Sequence, residues 1–291
     1  MLNLGDTIGI IALSGKCERE KVLNSKAYFE SLGYKVELSK NIFDEKRYLA
    51  GTDEDKISEL HKFFLNSDIK LILCARGGYG AIRLINKIDY ELIKSNSKPF
   101  CGFSDVTALL LMIYKKTGMV TYHSPMACSD FGNVTIPPKR KKELFTQQNF
   151  FEAVNGNFPN FEGKKIYTNG SAKGTLWGGN LATVVSLCGQ DFIPDDDFIF
   201  FAEDLNEPVY KIDRMFQQLI NINEFTARCK GIVLGEFLDT DEELLESYFV
   251  ELSERLQIPM AGGYKITHGA EKITLPIGKS AELTGKKLII L

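Results

Sequence analysis

The apolar positions of the first 120 residues follow two periods that alternate along the chain. Short apolar runs with the character of buried strands lie at residues 7–13, 35–38, 70–74 and 99–103. Apolar residues at helical spacing follow these runs and predict helices over residues 17–32, 53–65, 81–88 and 106–116. Strands that alternate with helices in this way predict a parallel, doubly wound α/β sheet.

The pattern becomes irregular from about residue 130 to residue 170, where Pro137, Pro138 and a basic run precede a short helix and a polar segment. Beyond this segment the pattern predicts strands over residues 198–202, 231–234, 281–283 and 287–291, and helices over residues 209–220 and 241–256. We therefore predict an N-terminal α/β domain over residues 1–130, an interdomain connection over residues 131–170 and a C-terminal domain over residues 171–291.

Composition narrows the class of protein. The net charge is −3 and the sequence has no basic block, which argues against nucleic acid or an anionic membrane as the main partner. The longest apolar run, residues 108–114, is far shorter than the roughly 20 residues of a membrane span. The N-terminus has no basic region of a signal peptide, and the six cysteines form no C-x-x-C pair or zinc-type cluster. This cysteine usage predicts a reducing, cytoplasmic compartment.

Two loops stand at the predicted carboxyl ends of strands, where ligands bind in open parallel sheets. The first reads Arg76-Gly77-Gly78-Tyr79-Gly80. Its glycines allow a ligand to approach the backbone, although a simple tight turn between strand and helix has the same composition. A phosphate loop is disfavoured, because neither G-x-G-x-x-G nor G-x-x-x-x-G-K-[ST] is present.

The second loop lies in the stretch FCGFSDVTALL, where Ser104 separates a short strand from an apolar helix. A serine before a helix is usually an N-cap. A strand, a sharp turn and a helix also present a nucleophile above a sheet, with the amide of the next residue, Asp105, directed at an oxyanion. The match to G-x-S-x-G is partial, since Gly102 is present but Val106 replaces the second glycine.

A serine nucleophile needs a base, and the chain has three histidines. His61 lies in a helix with core residues and reads as a surface or structural residue. His123 follows a strand-like stretch and could line a site or cap a turn. His268 lies in the glycine-rich loop 262–270, a type of segment that commonly carries function but that also holds ordinary exposed residues.

The base usually needs a carboxylate to orient it. Glu203 follows the buried run 198–202 and is placed by the pattern at a strand end, where it could also cap a turn. Glu236 is the rival acid. The chain order of Ser104, Glu203 and His268 is the order of nucleophile, acid and base in α/β-hydrolases.

Five segments together resemble a known family: GDTIGIIALSG, ARGGYGAIRLI, CGFSDVTALL, FFAEDLNEPVYKIDRMFQQL and GYKITHGAEKITLPIG. The chain resembles the LD-carboxypeptidases of the S66 serine peptidases over nearly its whole length. This family includes murein tetrapeptide carboxypeptidase and the microcin C self-immunity peptidases. The resemblance implies an N-terminal α/β domain and a C-terminal domain built on a β-barrel-like mixed sheet with helices, usually in a homodimer.

The resemblance also implies roles for single residues. It makes Ser104 the nucleophile, His268 the general base and Glu203 the orienting acid. The oxyanion and substrate-binding residues that it implies are Gly77, Gly78, Asp105, Arg76, Tyr79 and Trp177. It implies a small peptide substrate, and the chemistry that it implies needs no metal or cofactor.

The function that follows is a serine carboxypeptidase that releases D-Ala from murein tetrapeptide. One alternative keeps the chemistry and changes the substrate to an aminoacyl-adenylate analogue, as in the microcin-type branch, with Trp177 stacked on a base; the same tryptophan could equally serve packing. Another alternative is a non-catalytic protein that binds a small anion or nucleotide. Arg76 and Lys173 are candidate cations for a substrate carboxylate, and Asp105 and Glu271 are candidate acids for a substrate amine.

Overall fold

The computed structural model describes residues 1–134 and 141–291, which form two compact units. The first unit contains Met1–Asn157 and Thr274–Pro276, and the second contains Phe158–Ile273 and Ile277–Leu291. Pro137, Pro138 and the first half of the basic run lie outside the described residues.

The strands, in chain order, are β1 (Thr7–Ile11), β2 (Lys35–Leu38), β3 (Ile69–Cys74), β4 (Phe100–Gly102), β5 (Thr121–His123), β6 (Phe161–Glu162), β7 (Lys165–Thr168), β8 (Ser171–Asn180), β9 (Phe198–Leu205), β10 (Cys229–Leu238), β11 (Met260–Gly262), β12 (Leu275–Ile277), β13 (Ser280–Thr284) and β14 (Lys287–Ile290). The α-helices are α1 (Arg19–Ser31), α2 (Asp53–Leu65), α3 (Tyr90–Ser95), α4 (Thr107–Thr117), α5 (Lys141–Val154), α6 (Leu181–Ser186), α7 (Val209–Ile220), α8 (Asn223–Arg228) and α9 (Glu242–Leu256). Across the described parts of the chain, no helix combines the length and apolar character that a membrane crossing requires.

The first unit is built on a six-stranded sheet with the order β12-β5-β4-β3-β1-β2. Strands β1 to β5 pair in parallel, which confirms the predicted parallel α/β sheet. The strands β1 and β3 are almost completely buried, as their continuous apolar runs predict. The carboxyl ends of β3 and β4 therefore lie side by side, and the two candidate loops follow these ends.

The predicted helix over residues 81–88 is wrong. Only a single 3-10 turn forms, at Ala81–Arg83, and the chain then continues in turns to α3. The reason is local hydrogen bonding at the next helix: the Asp89 side chain accepts from the Leu92 amide and caps α3. The Tyr90 hydroxyl donates to the carbonyl of Ile85, so this carbonyl accepts from a side chain and not from a backbone amide of a continuous helix.

Helix α2 has the predicted bounds, but its buried stripe includes polar residues. Asp53, Lys56, Leu60 and Phe63 are buried at a spacing of three and four residues, whereas the apolar residue Ile57 is half-exposed. Thr52 caps the helix by accepting from the Asp55 amide. A lysine therefore lies inside the first unit at a position where helical periodicity alone predicts an apolar side chain.

The second unit is built on an eight-stranded mixed sheet with the order β6-β14-β13-β8-β9-β10-β11-β7. The central strands β8, β9, β10 and β11 are parallel, and the outer strands pair antiparallel. The mixed sheet of the second part is thus confirmed, and its hydrogen-bonded order ends at β6 and β7. The segment predicted as a connection contributes α5 to the first unit and β6 and β7 to the second sheet.

Strand β9 extends further than its apolar run. The sequence predicted that the strand ends before Glu203, but hydrogen bonding continues to Leu205, so both acids lie inside the strand and are buried. Buried carboxylates are tolerated there because each has specific partners: Glu203 contacts His268, and Asp204 accepts three hydrogen bonds.

Candidate active site

Ser104 lies at the turn that follows β4 and has a positive φ of 59°. Its side chain is not the N-cap of either following segment, because Phe103 precedes the 3-10 turn Ser104–Val106 and Val106 precedes α4. A non-glycine residue in the left-handed region costs roughly 1 kcal/mol or more and is frequent at functional sites. The sequence left two interpretations of Ser104, a helix N-cap and a nucleophile at a strained turn. The geometry favours the second.

Two glycines make room for this turn. A Cβ on Gly77 would lie 2.9 Å from both Cβ and Oγ of Ser104, and 3.4 Å from the amide nitrogen of Asp105. A Cβ on Gly102 would lie 2.8 Å from Cγ1 of Val106 and 3.2 Å from Cβ of Cys74. The loop after β3 and the loop after β4 are therefore in direct contact, and the backbone of Gly77 lies against the serine side chain.

The loop of residues 76–80, here called the RGGYG loop, is held by the residue that follows the serine. Oδ2 of Asp105 accepts a hydrogen bond of 2.9 Å from the amide of Ala81 at the end of the loop. Gly78 and Gly80 have φ values of 108° and 134°, which a residue with a side chain adopts only with strain. The Asp105 carboxylate is thus used within the protein, which argues against its role as an acid for a substrate amine.

The Gly77→Ala substitution is expected to reduce the rate constant for labelling of Ser104 by a fluorophosphonate about 10- to 100-fold. The added methyl group would contact the Ser104 hydroxyl at 2.9 Å, and a displacement near 1 Å costs about 100-fold in a reacting group. The matched control is Gly118→Ala, where φ is 73° but no atom lies within 4 Å of the added Cβ. This control should lose about 1 kcal/mol of stability and keep its activity. Equal labelling rates in the Gly77→Ala variant and the wild type would contradict the close contact between Gly77 and a reactive Ser104.

Arg76 and Tyr79, the other two predicted site residues of the RGGYG loop, contact different neighbours. Nη1 of Arg76 donates a hydrogen bond of 3.0 Å to the carbonyl of Lys16, which orients the guanidinium beside the loop. Tyr79 is 46% exposed, and its ring meets that of Tyr48 edge-on at 5.7 Å. Arg76 is half-exposed and close in sequence to Gly77, so it is a suitable cation for a carboxylate ligand at this loop.

In the second unit, Glu203 and His268 form a close pair. Nδ1 of His268 lies 2.6 Å from Oε2 of Glu203, and the glutamate is completely buried. The second oxygen, Oε1, has no hydrogen-bond partner among the described residues. A carboxylate that accepts a hydrogen bond from Nδ1–H leaves Nε2 as the proton acceptor, which is the tautomer that a general base requires.

The loop that carries His268 is held against β10 by a close backbone approach. The Glu236 amide donates to the carbonyl of Ile266, and a Cβ on Gly235 would lie 2.2 Å from that carbonyl oxygen and 3.0 Å from Cβ of Glu203. Only glycine permits this contact. Gly235 was not identified from the sequence, although an isolated glycine inside a strand pattern is the signal for such an approach.

The rival acid, Glu236, has a different partner. Its side chain contacts Nζ of Lys265 at 3.4 Å, and Glu271 contacts the same ammonium at 3.3 Å. Lys173, on β8, pairs with Glu282 on β13 at 3.1 Å. Glu236, Glu271 and Lys173 are thus engaged in ion pairs, and Glu203 is the carboxylate that contacts the histidine.

Asp204 follows Glu203 and has an elevated pKa. Burial raises the pKa of Asp204 to about 6, with a further increase from the Glu203 charge, against hydrogen bonds from the amides of Leu205 and Ala182 and from the side chain of Asn180. These bonds measure 2.8 to 2.9 Å. Asp204 thereby links β9 to the start of α6, which Asn180 caps.

Asp204→Asn is expected to change how stability depends on pH. Because folding raises the pKa of this carboxyl, its contribution to stability is present below its ordinary pKa of about 4 and is lost as pH rises through about 6. Urea unfolding at pH 4 to 7 should therefore show the wild type losing about 2 kcal/mol relative to the variant over that range. A difference that stays constant with pH would show that Asp204 has an ordinary pKa.

The remaining candidates lie in other environments. Nε2 of His61 accepts from the Asp89 amide at 3.0 Å, a structural role at the start of α3. His123 is buried at the end of β5, with its ring against Phe103. Trp177 is completely buried, and its ring centroid lies 5.2 to 5.7 Å from those of three phenylalanines, Phe192, Phe198 and Phe200. A base could stack on this indole only after these rings moved away.

The first unit thus has a parallel α/β sheet with a serine at a strained turn after one of its strands. Two family models match the chain: the LD-carboxypeptidase N-terminal domain over residues 8–124 and the LD-carboxypeptidase C-terminal domain over residues 173–283. The chain therefore belongs to the LD-carboxypeptidase family, peptidase family S66, and is a serine peptidase.

Among its relatives is the probable murein peptide carboxypeptidase of Bacillus subtilis (strain 168), with 34% identity over 100% of this chain and 92% of the relative. The solved structure of an MccF-like protein from Bacillus anthracis has a TM-score of 0.89 at 26% identity, covering 100% of this chain and 98% of that one. The muramoyltetrapeptide carboxypeptidase of Oxalobacter formigenes has a TM-score of 0.86 at 28% identity, covering 98% and 97%. MccF is a microcin C7 self-immunity protein of Escherichia coli.

Proposed function

We propose that the protein is a serine carboxypeptidase that cleaves an L,D-amide bond and releases the C-terminal D-Ala of murein tetrapeptide. Ser104 would be the nucleophile, His268 the general base and Glu203 its orienting acid. The observation that carries this proposal is the 2.6 Å contact between His268 Nδ1 and the completely buried Glu203 carboxylate. A buried carboxylate on the imidazole of a peptidase has a direct use, which is to fix the tautomer and stabilise the imidazolium.

In the proposed reaction, Nε2 of His268 takes the hydroxyl proton of Ser104 as its oxygen attacks the carbonyl carbon before the terminal D-Ala. The imidazolium then gives this proton to the amine of the leaving D-Ala, and an acyl-enzyme ester forms on Ser104. A water molecule, deprotonated by the same imidazole, hydrolyses the ester and restores the serine. Glu203 keeps its negative charge throughout and stabilises the imidazolium.

The oxyanion of each tetrahedral intermediate needs hydrogen-bond donors that are already in place. The amide of Asp105 and the backbone of the RGGYG loop at Gly77 and Gly78 are the proposed donors, since Gly77 lies against the Ser104 side chain. A donor of this kind contributes about 3 to 4 kcal/mol to lowering the barrier. Arg76, at the start of the same loop, is the proposed partner of the terminal carboxylate of the substrate.

The substrate test compares two tetrapeptides that differ only in the configuration of the last alanine. The L,D-tetrapeptide is expected to release alanine at least about 100-fold faster than the L,L-tetrapeptide at equal concentration. An L residue would place its methyl group where the carboxylate docks, and a misplacement near 1 Å costs about 100-fold. Mass spectrometry of the products, with the Ser104→Ala variant as the blank, measures both rates. Equal rates for the two peptides would remove the L,D assignment.

The alternative substrate is an aminoacyl-nucleotide of the microcin type, which the similarity to an MccF-like protein supports. The position of Trp177 does not favour it, because this indole is surrounded by phenylalanine rings. Incubation with an aminoacyl sulfamoyl adenosine in the same mass-spectrometric assay distinguishes the two branches. Cleavage of the nucleotide alone would place the protein in the immunity branch, with the same three catalytic residues.

The homodimer implied by the resemblance and the cytoplasmic location indicated by the cysteine usage stay predictions. A two-fold dimer is the commonest oligomer and would have a mass of roughly 65 kDa, twice that of the 32.7 kDa chain. Sedimentation at micromolar concentration measures this mass, and a monomer there would contradict the prediction.

A further inference from the structure

Lys56 is a buried cation that the proposed chemistry does not use. It lies on the inner face of α2 with no exposed surface, and its Nζ has no hydrogen-bond partner in residues 1–134 or 141–291. An unpaired ammonium in a protein interior is costly, because burial removes its hydration without replacing it. A side chain of this kind at a position that helical periodicity assigns to the core calls for a role other than stability.

The ammonium of Lys56 lies against the last residue of the RGGYG loop. A Cβ on Gly80 would lie 3.2 Å from Nζ of Lys56, 2.8 Å from Cδ2 of Leu49 and 3.6 Å from the carbonyl oxygen of Ser14. The next amide along the chain, that of Ala81, is the one that donates to Asp105. The peptide unit between Gly80 and Ala81 thus lies close to a cation from α2, and its N–H is bound by the anion that follows Ser104.

The charges around Lys56 fall into two sets, acids that favour its ammonium form and basic groups that oppose it. Asp53 is the acid whose charge has the larger effect on the ammonium, but it is bound by Arg83 through three contacts of 2.7 to 3.1 Å. Asp105 is the other acid whose charge favours the ammonium, whereas Arg83 and Lys46 oppose it. Burial has the largest effect and lowers the pKa of Lys56. Among the described residues, Asp105 forms no ion pair with a basic side chain, and its charge acts on the ammonium of Lys56.

We propose that Lys56 is a positioning residue for the RGGYG loop: its ammonium neutralises Asp105 and fixes Gly80, and so holds this loop against Ser104. The effect passes through Asp105 and Gly80, and Lys56 itself touches no substrate. The part of this proposal that concerns turnover rests on the serine peptidase function proposed above, whereas the part that concerns the loop does not.

The Lys56→Met variant separates this role from a structural one. Methionine fills a similar volume and removes the cost of burying the ammonium, but it also removes a charge that compensates Asp105, so these opposite effects should leave the urea midpoint nearly unchanged. The rate constant for labelling of Ser104 by a fluorophosphonate should nevertheless fall about 10- to 100-fold, since the loop is no longer held in place. With a peptide substrate the loss should appear in kcat, with KM changed less than about 3-fold. Lys62→Met, on the exposed face of the same helix, is the matched control.

Two further measurements complete the test. Hydrogen exchange of the peptide that spans residues 75–84, read by mass spectrometry, should be at least about 10-fold faster in Lys56→Met than in the wild type at the same pH. The labelling rate of the wild type should fall as pH rises through the lowered pKa of Lys56, because deprotonation removes the compensating charge. The Lys56→Met variant should lack this decrease.

Unchanged loop exchange in Lys56→Met overturns the proposal. A variant that loses its urea midpoint and its labelling rate together, with the wild-type pH profile, also overturns it and makes Lys56 a structural residue. If the wild-type protein is not labelled at Ser104 at all, the proposed function fails, and the loop exchange alone then decides the role of Lys56.

Discussion

Ser104→Ala is expected to lower the turnover of the L,D-tetrapeptide by about 10⁴-fold or more, to a residual rate that depends only on binding. In the proposed reaction the hydroxyl oxygen is the atom that forms the acyl bond, and alanine has no atom in its place. The fold should persist, because the substitution removes one atom at a turn. Stability should change by less than about 1 kcal/mol, since Ser104 caps no helix and alanine meets the same left-handed strain.

A second substitution at this position tests the strain itself. Ser104→Gly should be as inactive as the alanine variant but more stable than the wild type by about 1 kcal/mol, because glycine adopts a φ of 59° without strain. Urea unfolding compares the three proteins. A glycine variant less stable than the wild type would mean that the turn at Ser104 is relaxed.

Labelling provides the control for the alanine variant. A fluorophosphonate should modify the wild type and Ser129→Ala, a variant of an exposed serine in the same unit, and should leave Ser104→Ala unmodified. Retained hydrolysis in a contaminant-free preparation of Ser104→Ala would refute the nucleophile assignment.

Glu203→Gln is expected to reduce kcat by about 10²- to 10⁴-fold with little change in KM. The substitution keeps the size of the side chain but removes the charge that stabilises the imidazolium of His268 across the 2.6 Å contact. It also places an amide group where Oε1 has no partner among the described residues, so about 1 to 3 kcal/mol of stability should be lost as well.

Glu236→Gln is the matched control for this variant. Glu236 lies on the neighbouring strand and pairs with Lys265, which is about one-third exposed, so its neutralisation should change kcat less than about 3-fold. Steady-state kinetics of the two variants side by side decide between the acids. The larger loss in Glu236→Gln would make Glu236 the orienting acid and refute the role of Glu203.

The elements that the sequence predicted well are those with a strong local signal. Helix α2 has a capping threonine and an acidic first turn, and α4 ends at Gly118 in the left-handed region, so both helices have local start or stop signals. The helix predicted over residues 81–88 failed because Asp89 caps a new helix a few residues later. Strand β9 was predicted too short, because its last residues are acids whose burial depends on partners elsewhere in the chain.

In the candidate site, too, the residue types could be predicted from the sequence, whereas their contacts depended on the tertiary structure. Ser104, Glu203 and His268 could be selected from residue type, chain order and the resemblance. The contact between Glu203 and His268 is visible only in the structure, because it joins residues 65 positions apart. Gly235 was missed, since a glycine in a strand indicates a close approach without saying which segment approaches.

The sequence by itself determined the parallel α/β unit, the mixed second unit and membership of the LD-carboxypeptidase family, because periodicity and ordered motifs are properties of the chain read in one direction. Only the tertiary structure decided that Ser104 is strained and caps no helix, that Trp177 is enclosed by aromatic rings and that an unpaired Lys56 lies beneath the RGGYG loop. The physical reason is that strain, burial and charge compensation are set by atoms that distant segments bring together. A residue's type and its neighbours in sequence do not specify those atoms.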